Sequence, residues 1–403
     1  MTAKPPLLFT AALFTLVATG VPSFAQMQPA AVDVAAQAAA PVGADRIQQA
    51  IDKGLAFLKS QQRPDGGWTS EQQPPAINAL VLKAFAQDAK TGPQADFVKK
   101  GYERLLSYQV ESGGIYKDAL ANYNTAISVS ALAAANDPAY KDRIDKAVAY
   151  LKGLQWTAGV TGPKGESTAD ADKATGEGGG GYGNQGRPDF SNTQLALDAL
   201  HDAGVKPDDP AYQRALTFIG RTQNRSESND QSFAGNDGGF FYTPARGGES
   251  MAGLIDAGDK KEPRSYGSMT YAGLKSFIYA GVSKTDPRVV AAFDWISKNY
   301  TLDENPGMAV GDPAKARNGL FYYYHTMARA LHAYGEETLT VTEGGQAKRV
   351  NWRSDLAGHL MNIQKQDGSW VGVERWMEDN PIIVTSYVVL ALQEIQKTQN
   401  ETK

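Results

Sequence analysis

The run Lys53-Gly54-Leu55-Ala56-Phe57-Leu58-Lys59-Ser60-Gln61-Gln62-Arg63-Pro64-Asp65-Gly66-Gly67-Trp68 decides the fold. It reads as the end of an apolar helix, a glutamine, a glycine turn and a closing aromatic residue, and that order recurs six times along the chain. With Lys53, Lys100, Lys146, Arg214, Ala291 and Asp355 as position zero, position nine holds Gln62, Gln109, Gln155, Gln223, Tyr300 and Gln364. Position five holds Leu58, Leu105, Leu151, Ile219, Ile296 and Leu360, aliphatic throughout and so expected to be buried.

Each glutamine is followed by a turn: Asp65-Gly66-Gly67-Trp68, Gly113-Gly114-Ile115, Gly180-Gly181-Tyr182, Asp237-Gly238-Gly239-Phe240, Asn305-Pro306-Gly307-Met308 and Asp367-Gly368-Ser369-Trp370. Glycine permits positive φ there, and Asp or Asn bonds the backbone of its own turn. A second apolar helix follows in every unit, aligned on Asn78, Thr125, Thr193, Thr270, Thr326 and Thr385. Threonine in a first helical turn reads as a cap, with cavity lining as the competing role. The turn aromatics Trp68, Tyr182, Phe240 and Trp370 read as braces between helices rather than ligand platforms.

Units are joined by short connections, several carrying Asp-Pro (Asp137-Pro138, Asp209-Pro210, Asp286-Pro287), a start signal with Asp as N-cap and Pro at the first helical position. Within units the loops are long, from Gln155 to Phe190 and from Gln223 to Ser265, and loops of that length more often carry function than connect. Neither end carries a polar capping repeat, so six helical hairpins are expected to close on themselves rather than form an open solenoid. The expectation is an all-α fold, an α6/α6 toroid with almost no sheet. The threonine-headed helices form its inner ring, with their amino ends and the long loops at one mouth.

Residues 1–25 carry one charge, Lys4, then the apolar stretch from Leu7 to Val21 and the small-residue exit Ser23-Phe24-Ala25, the pattern of a secretory signal peptide. Residues 26–43 read as a flexible leader and residues 44–398 as one toroid domain of six repeats, exported to the periplasm or secreted. No further segment approaches a spanning length, so no stable membrane insertion is expected. Removing Lys4 takes the formal charge from −4 to about −5, which argues against a nucleic-acid partner held on a broad basic surface. With no cysteine there is no disulfide, thiolate nucleophile or internal thioester.

The run from Lys53 through Gln62 to Trp68 resembles the QW motif of squalene and oxidosqualene cyclases, within the wider prenyltransferase and squalene-oxidase repeat superfamily, and degenerate copies extend the resemblance over about residues 45 to 395. The resemblance implies a toroid with an elongated apolar or isoprenoid-like ligand in its central cavity. It does not carry the chemistry across. Where cyclases place the protonating Asp-x-Asp-Asp-Thr-Ala motif, this chain has Ala121-Asn122-Tyr123-Asn124-Thr125-Ala126, none of whose side chains is a strong acid. The Asp170-Ala171-Asp172 pair lies in a loop, and the zinc of protein prenyltransferases needs a cysteine. Gly176-Glu177-Gly178-Gly179-Gly180-Gly181 fits G-x-G-x-x-G only formally, because no strand precedes it.

The segments just before the inner helices carry the candidate site. For catalysis the candidates are His325, Tyr324, Asp189 and Asp379; for ligand binding they are Tyr123, Asn124, Arg187, Arg264, Tyr266, Arg317, Arg375 and Trp376. Four arginines from four repeats, added to six helix amino ends, suggest a positive opening that draws an anion. His201, His332 and His359 lack a paired ligand spacing, so no metal and no cofactor is expected. Three functions follow: a cavity for an isoprenoid-like ligand; a polysaccharide lyase or hydrolase acting on an anionic glycan, with Asp189 and Asp379 as a carboxylate pair; or a scaffold binding a protein at the loop face.

Overall fold

A computed structural model describes residues 42–70, 73–157, 175–183 and 187–397. The expected signal peptide 1–25, nearly all of the leader 26–43, residue 398 and most of the long third loop lie outside the described residues. Twelve α-helices alternate along the described chain. The outer set is α1 (Ala44–Ser60), α3 (Asp96–Leu106), α5 (Lys141–Leu154), α7 (Pro210–Arg221), α9 (Pro287–Asn299) and α11 (Trp352–Asn362). The inner set is α2 (Pro75–Ala86), α4 (Ala121–Ala134), α6 (Phe190–Asp202), α8 (Gly267–Tyr279), α10 (Leu320–Tyr334) and α12 (Pro381–Gln396).

The two sets differ as their sequences require. Helix α3 buries Val98, Gly101, Tyr102 and Leu105, the one-sided spacing of a surface helix, whereas α2 buries every residue from Pro75 to Phe85. Each inner helix packs on the next, α2 on α4 through to α10 on α12, and α12 returns to α2. The ring is closed. Amino ends meet amino ends, as where Asn124 Oδ1 accepts from Ala76 N at 3.0 Å and Asn122 Nδ2 donates to Asn192 O at 3.3 Å. Carboxyl ends meet carboxyl ends, as where Gln393 Nε2 donates to Ala84 O at 2.8 Å. The inner helices are therefore parallel.

The repeated glutamine is a clamp between repeats. Gln62 Nε2 donates to Gly66 O of its own turn at 2.9 Å and to Phe97 O of the next outer helix at 2.8 Å. Gln109, Gln155 and Gln223 do the same with Arg143, Ala211 and Arg288, and Gln364 reaches from the sixth repeat to Ala50 of the first. At each clamp the next position-zero carbonyl lies against the turn glycine: a β-carbon on Gly66, at φ +87°, would stand 2.7 Å from Lys100 O. The aligned threonines sit inside their helices rather than capping them. Thr125 Oγ1 accepts from Ile115 N at 2.9 Å, and Thr193, Thr270 and Thr385 likewise take the N–H of the turn before them. This corrects the capping role expected from position alone.

The fifth repeat breaks the pattern. Tyr300 stands in the glutamine slot, and its hydroxyl bonds Asp355 Oδ2 at 2.8 Å, the side chain of the next position zero. Here the connection between repeats is not short either: β3 (Thr338–Glu343) and β4 (Gln346–Asn351) form an antiparallel hairpin whose Leu339 and Val341 are buried. A second hairpin, β1 (Leu254–Ala257) and β2 (Lys260–Pro263), sits in the long loop of the fourth repeat.

Candidate functional site

At the amino ends of the inner helices Tyr123, Tyr322 and His325 keep partial solvent exposure, and they mark the candidate recess. Helix α6 begins at Asp189, whose carboxylate accepts from Asn192 N at 2.9 Å and from Asn192 Nδ2 at 2.8 Å. Helix α10 begins under Glu378, from the loop before α12; its Oε1 accepts from Phe321 N at 3.0 Å and Tyr322 N at 2.9 Å. Burial pushes the Asp189 carboxyl up to about 6 against the hydrogen bonds from Asn192 and Tyr242. It pushes Glu378 up to about 7 against the backbone donors of α10.

Between these carboxyls stands a wall of tyrosines. Tyr123 of α4 shares a hydrogen bond with Tyr387 of α12, and the Tyr322 ring of α10 lies 6.1 Å from that of Tyr387. Tyr322 OH accepts from Gln194 Nε2 of α6 at 2.9 Å, so α6 and α10 join across the ring. His325 lies over Tyr387 at 5.5 Å with its Nδ1 unpartnered; burial, then Arg329, Lys275 and Lys83, hold it neutral, well below the usual imidazole range. Tyr123, Tyr322 and His325 keep partial solvent exposure although they lie at the ring interior.

Below the tyrosines, toward the helix carboxyl ends, the ring is floored by buried charge. Lys275 Nζ bonds Asp198 Oδ2 at 2.7 Å and Gln194 Oε1 at 2.8 Å; Arg329 reaches Asp202 Oδ1 at 2.7 Å and Asp198 Oδ2 at 3.3 Å; Lys83 Nζ meets Asp202 Oδ2 at 2.6 Å. Three cations face two carboxylates, at the end where the helix dipoles are negative. Burial lowers Lys275 to about 8. Burial also raises Asp202, but Arg329 and Lys83 outweigh it and hold that carboxyl well below its usual range.

The structure distributes the sequence candidates unevenly. Asp189, Tyr123, Tyr266 and His325 lie at the recess, Tyr266 as the N-cap of α8 beside Tyr322 and Asp189. Asn124 has both amide atoms bonded within the protein, to Ala76 N and Ala119 O. Tyr324 turns away from the recess and bonds Leu302 O and His359 Nε2. Asp379 is exposed. The arginines fall into two pairs. Arg187 is ion-paired with Glu249, and Arg264 holds the same insertion through its backbone bonds to Gly253 and Ser250. Arg317 and Arg375 are exposed, Arg375 lying over the Trp376 ring at 5.2 Å. Trp376 itself is 43% exposed at the rim.

Sequence reasoning passed over Glu378 for its neighbour Asp379, because only the loop conformation decides which carboxylate turns inward. The floor did carry a signal, since Lys83, Lys275 and Arg329 are the lone Lys or Arg of helices that hold no Asp or Glu. Among the described residues no helix is long and apolar enough to cross a membrane, and no three His, Asp or Glu side chains cluster as metal ligands.

No family model matches the chain. A stretch of 73 residues, 18% of this chain, is 36% identical to lanosterol synthase erg7A of Aspergillus fumigatus and spans 10% of that enzyme's length. The structure is similar to that of type II terpene cyclase MstE from Scytonema, with TM-score 0.51 at 14% identity over 87% of this chain and 98% of that one. It is also similar to a mutant of unsaturated glucuronyl hydrolase from Streptococcus agalactiae, with TM-score 0.50 at 14% identity over 89% of this chain and 93% of that one. At such identity the likeness is one of fold. The chain thus has the fold of a terpene-cyclase-like α6/α6 toroid.

Proposed function

We propose that this exported toroid binds a hydroxyl-rich ligand, of neutral oligosaccharide type, in the recess at the amino ends of its inner helices. The observation that carries this reading is the recess surface: tyrosine rings and hydroxyls above a floor of paired charges, with the buried carboxyls of Asp189 and Glu378 beside Tyr266 and Tyr387. An isoprenoid chain in the same place would strip water from the partly exposed Tyr123, Tyr322 and His325 without replacing its hydrogen bonds, at about 1–3 kcal/mol for each group left unpaired. A sugar stacks its apolar face on a tyrosine and satisfies the polar groups with its hydroxyls. The buried carboxyls favour a neutral glycan over an anionic one.

The isoprenoid reading keeps one supporting observation, the aromatic density around Tyr387. Calorimetry of the purified mature protein against cellohexaose, a uronate hexamer and geranylgeraniol separates the readings. Binding of cellohexaose, weakened by Tyr322→Ala, supports the proposal. Binding of geranylgeraniol alone overturns it. Export is tested by fusing residues 1–43 to a reporter active only outside the cytoplasm; a silent reporter sinks that part.

A further inference from the structure

The fifth repeat departs from the others twice, and both departures line one cavity. Tyr300 holds the place of the clamping glutamine, and the β3–β4 hairpin replaces a short connection; between them and α11 lies a cavity of about 530 Å³. That size falls within the roughly 300–1,000 Å³ of small-molecule sites. On α11 the lining residues Asp355, Gly358, His359 and Asn362 follow at the spacing of one helical face. Leu302, Val341 and Val350 supply the apolar part of the wall.

The polar lining leaves acceptors open. Tyr324 OH donates to Leu302 O, so it accepts from His359 at 2.9 Å, and Nε2 of that ring carries the proton. The lone pair then lies on Nδ1, which has no hydrogen-bond partner among the described residues and is not sealed from solvent. Burial lowers His359 and keeps it neutral; Asp303 and then Asp355 oppose burial, so both carboxylates stand near the ring, and Arg317 acts on it from outside the lining. Asp355 accepts from Tyr300, whereas the exposed Asp303 carboxylate has no partner among the described residues. The cation of the lining, Lys348, is already paired with Glu343 at 2.7 Å.

We propose that the cavity between the fifth and sixth repeats binds a primary organic ammonium, a charged head on an apolar chain. An ammonium offers three N–H donors and no acceptor, which matches an open imidazole nitrogen and two carboxylates. An anion would be repelled by Asp303 and Asp355, and a wholly apolar ligand would cover these acceptors without bonding them. The chain of the ligand lies along Leu302, Val341 and Val350. This site does not depend on the saccharide reading of the recess, with which it shares no lining residue.

The test is calorimetry of the full chain with three probes of one chain length, hexylammonium, hexanol and hexanoate. Hexylammonium is expected to bind, more weakly as salt rises, and hexanoate is expected not to bind. Binding of hexanoate, equal binding of hexanol, or no binding of hexylammonium overturns the proposal. Two variants locate the site. A β-carbon on Gly358 would meet only Val42 Cγ2, at 3.9 Å, so Gly358→Leu fills the cavity and is expected to abolish binding without lowering the melting temperature. Asp303→Asn keeps the shape and removes the charge, and is expected to weaken hexylammonium about fivefold; it decides alone if the leucine variant fails to fold. Unchanged affinity in either folded variant overturns the placement. In nitrogen NMR the His359 Nδ1 resonance is expected to move on adding hexylammonium, and a resonance that stays still overturns the imidazole contact.

Discussion

The side-chain amide of Gln364 crosses the seam of the ring and donates to the carbonyl of Ala50 at 3.0 Å, joining the sixth repeat to the first with the same bond that joins the first to the second. A chain of repeats becomes a ring because its last clamp finds its first helix. Gln364→Ala leaves the Ala50 and Gly368 carbonyls without that donor, and a loss of about 1–3 kcal/mol in urea unfolding is expected. A loss near zero would show that the seam is held by helix packing alone.

The turn glycines answer a second demand besides the clamp. Gly66→Ala meets both a positive φ and the Lys100 carbonyl, whereas Gly92, at φ +64°, has no atom within 4 Å of an added β-carbon. Gly92→Ala is expected to cost about 1 kcal/mol and Gly66→Ala more than about 2, the difference reporting the close approach of the next repeat. Equal losses on denaturation would remove that approach from the account.

The repeat grammar was legible because it is local. The glutamine recurs at a fixed offset, the turn glycine and the aligned threonine follow it in the same order, and each makes its bond within its unit or to the next one. What was not legible depends on where long loops turn. Glu378 and Asp379 are adjacent carboxylates, and only the left-handed Trp376 and Met377 send one inward and leave the other in water. Likewise Arg187 reads as a mouth cation until the fourth-repeat insertion brings Glu249 against it. The hairpin β3–β4 was visible in the alternation of Thr338 to Glu343 but was hidden by the expectation of short connections.

Asp189 predicts a pH dependence. Its folded value, about 6, lies above the ordinary 3.8, so the stability it contributes is full below pH 3.8 and is lost as pH rises through 6. Asp189→Asn keeps the N-cap acceptor for Asn192 and removes the ionisation. Wild type is expected to lose about 2–3 kcal/mol relative to this variant between about pH 3.5 and pH 7, read by denaturation at each pH. A difference that grows in the opposite direction would contradict burial as the dominant cause.

The floor is predicted to behave as one network. Lys275→Met leaves Asp198 buried with only the longer contact to Arg329, and a loss of about 3–5 kcal/mol is expected. Adding Asp198→Leu to that variant should recover part of the loss, since the uncompensated charge goes with it. Additive losses in the double mutant would mean that the two residues are not coupled.

The most direct test is a crystal structure of the protein grown with cellohexaose. The account predicts sugar density within the ring, one face on Tyr322 or Tyr387. Density for a hydrocarbon chain in that recess, or for sugar only on the outer surface of the ring, would contradict it.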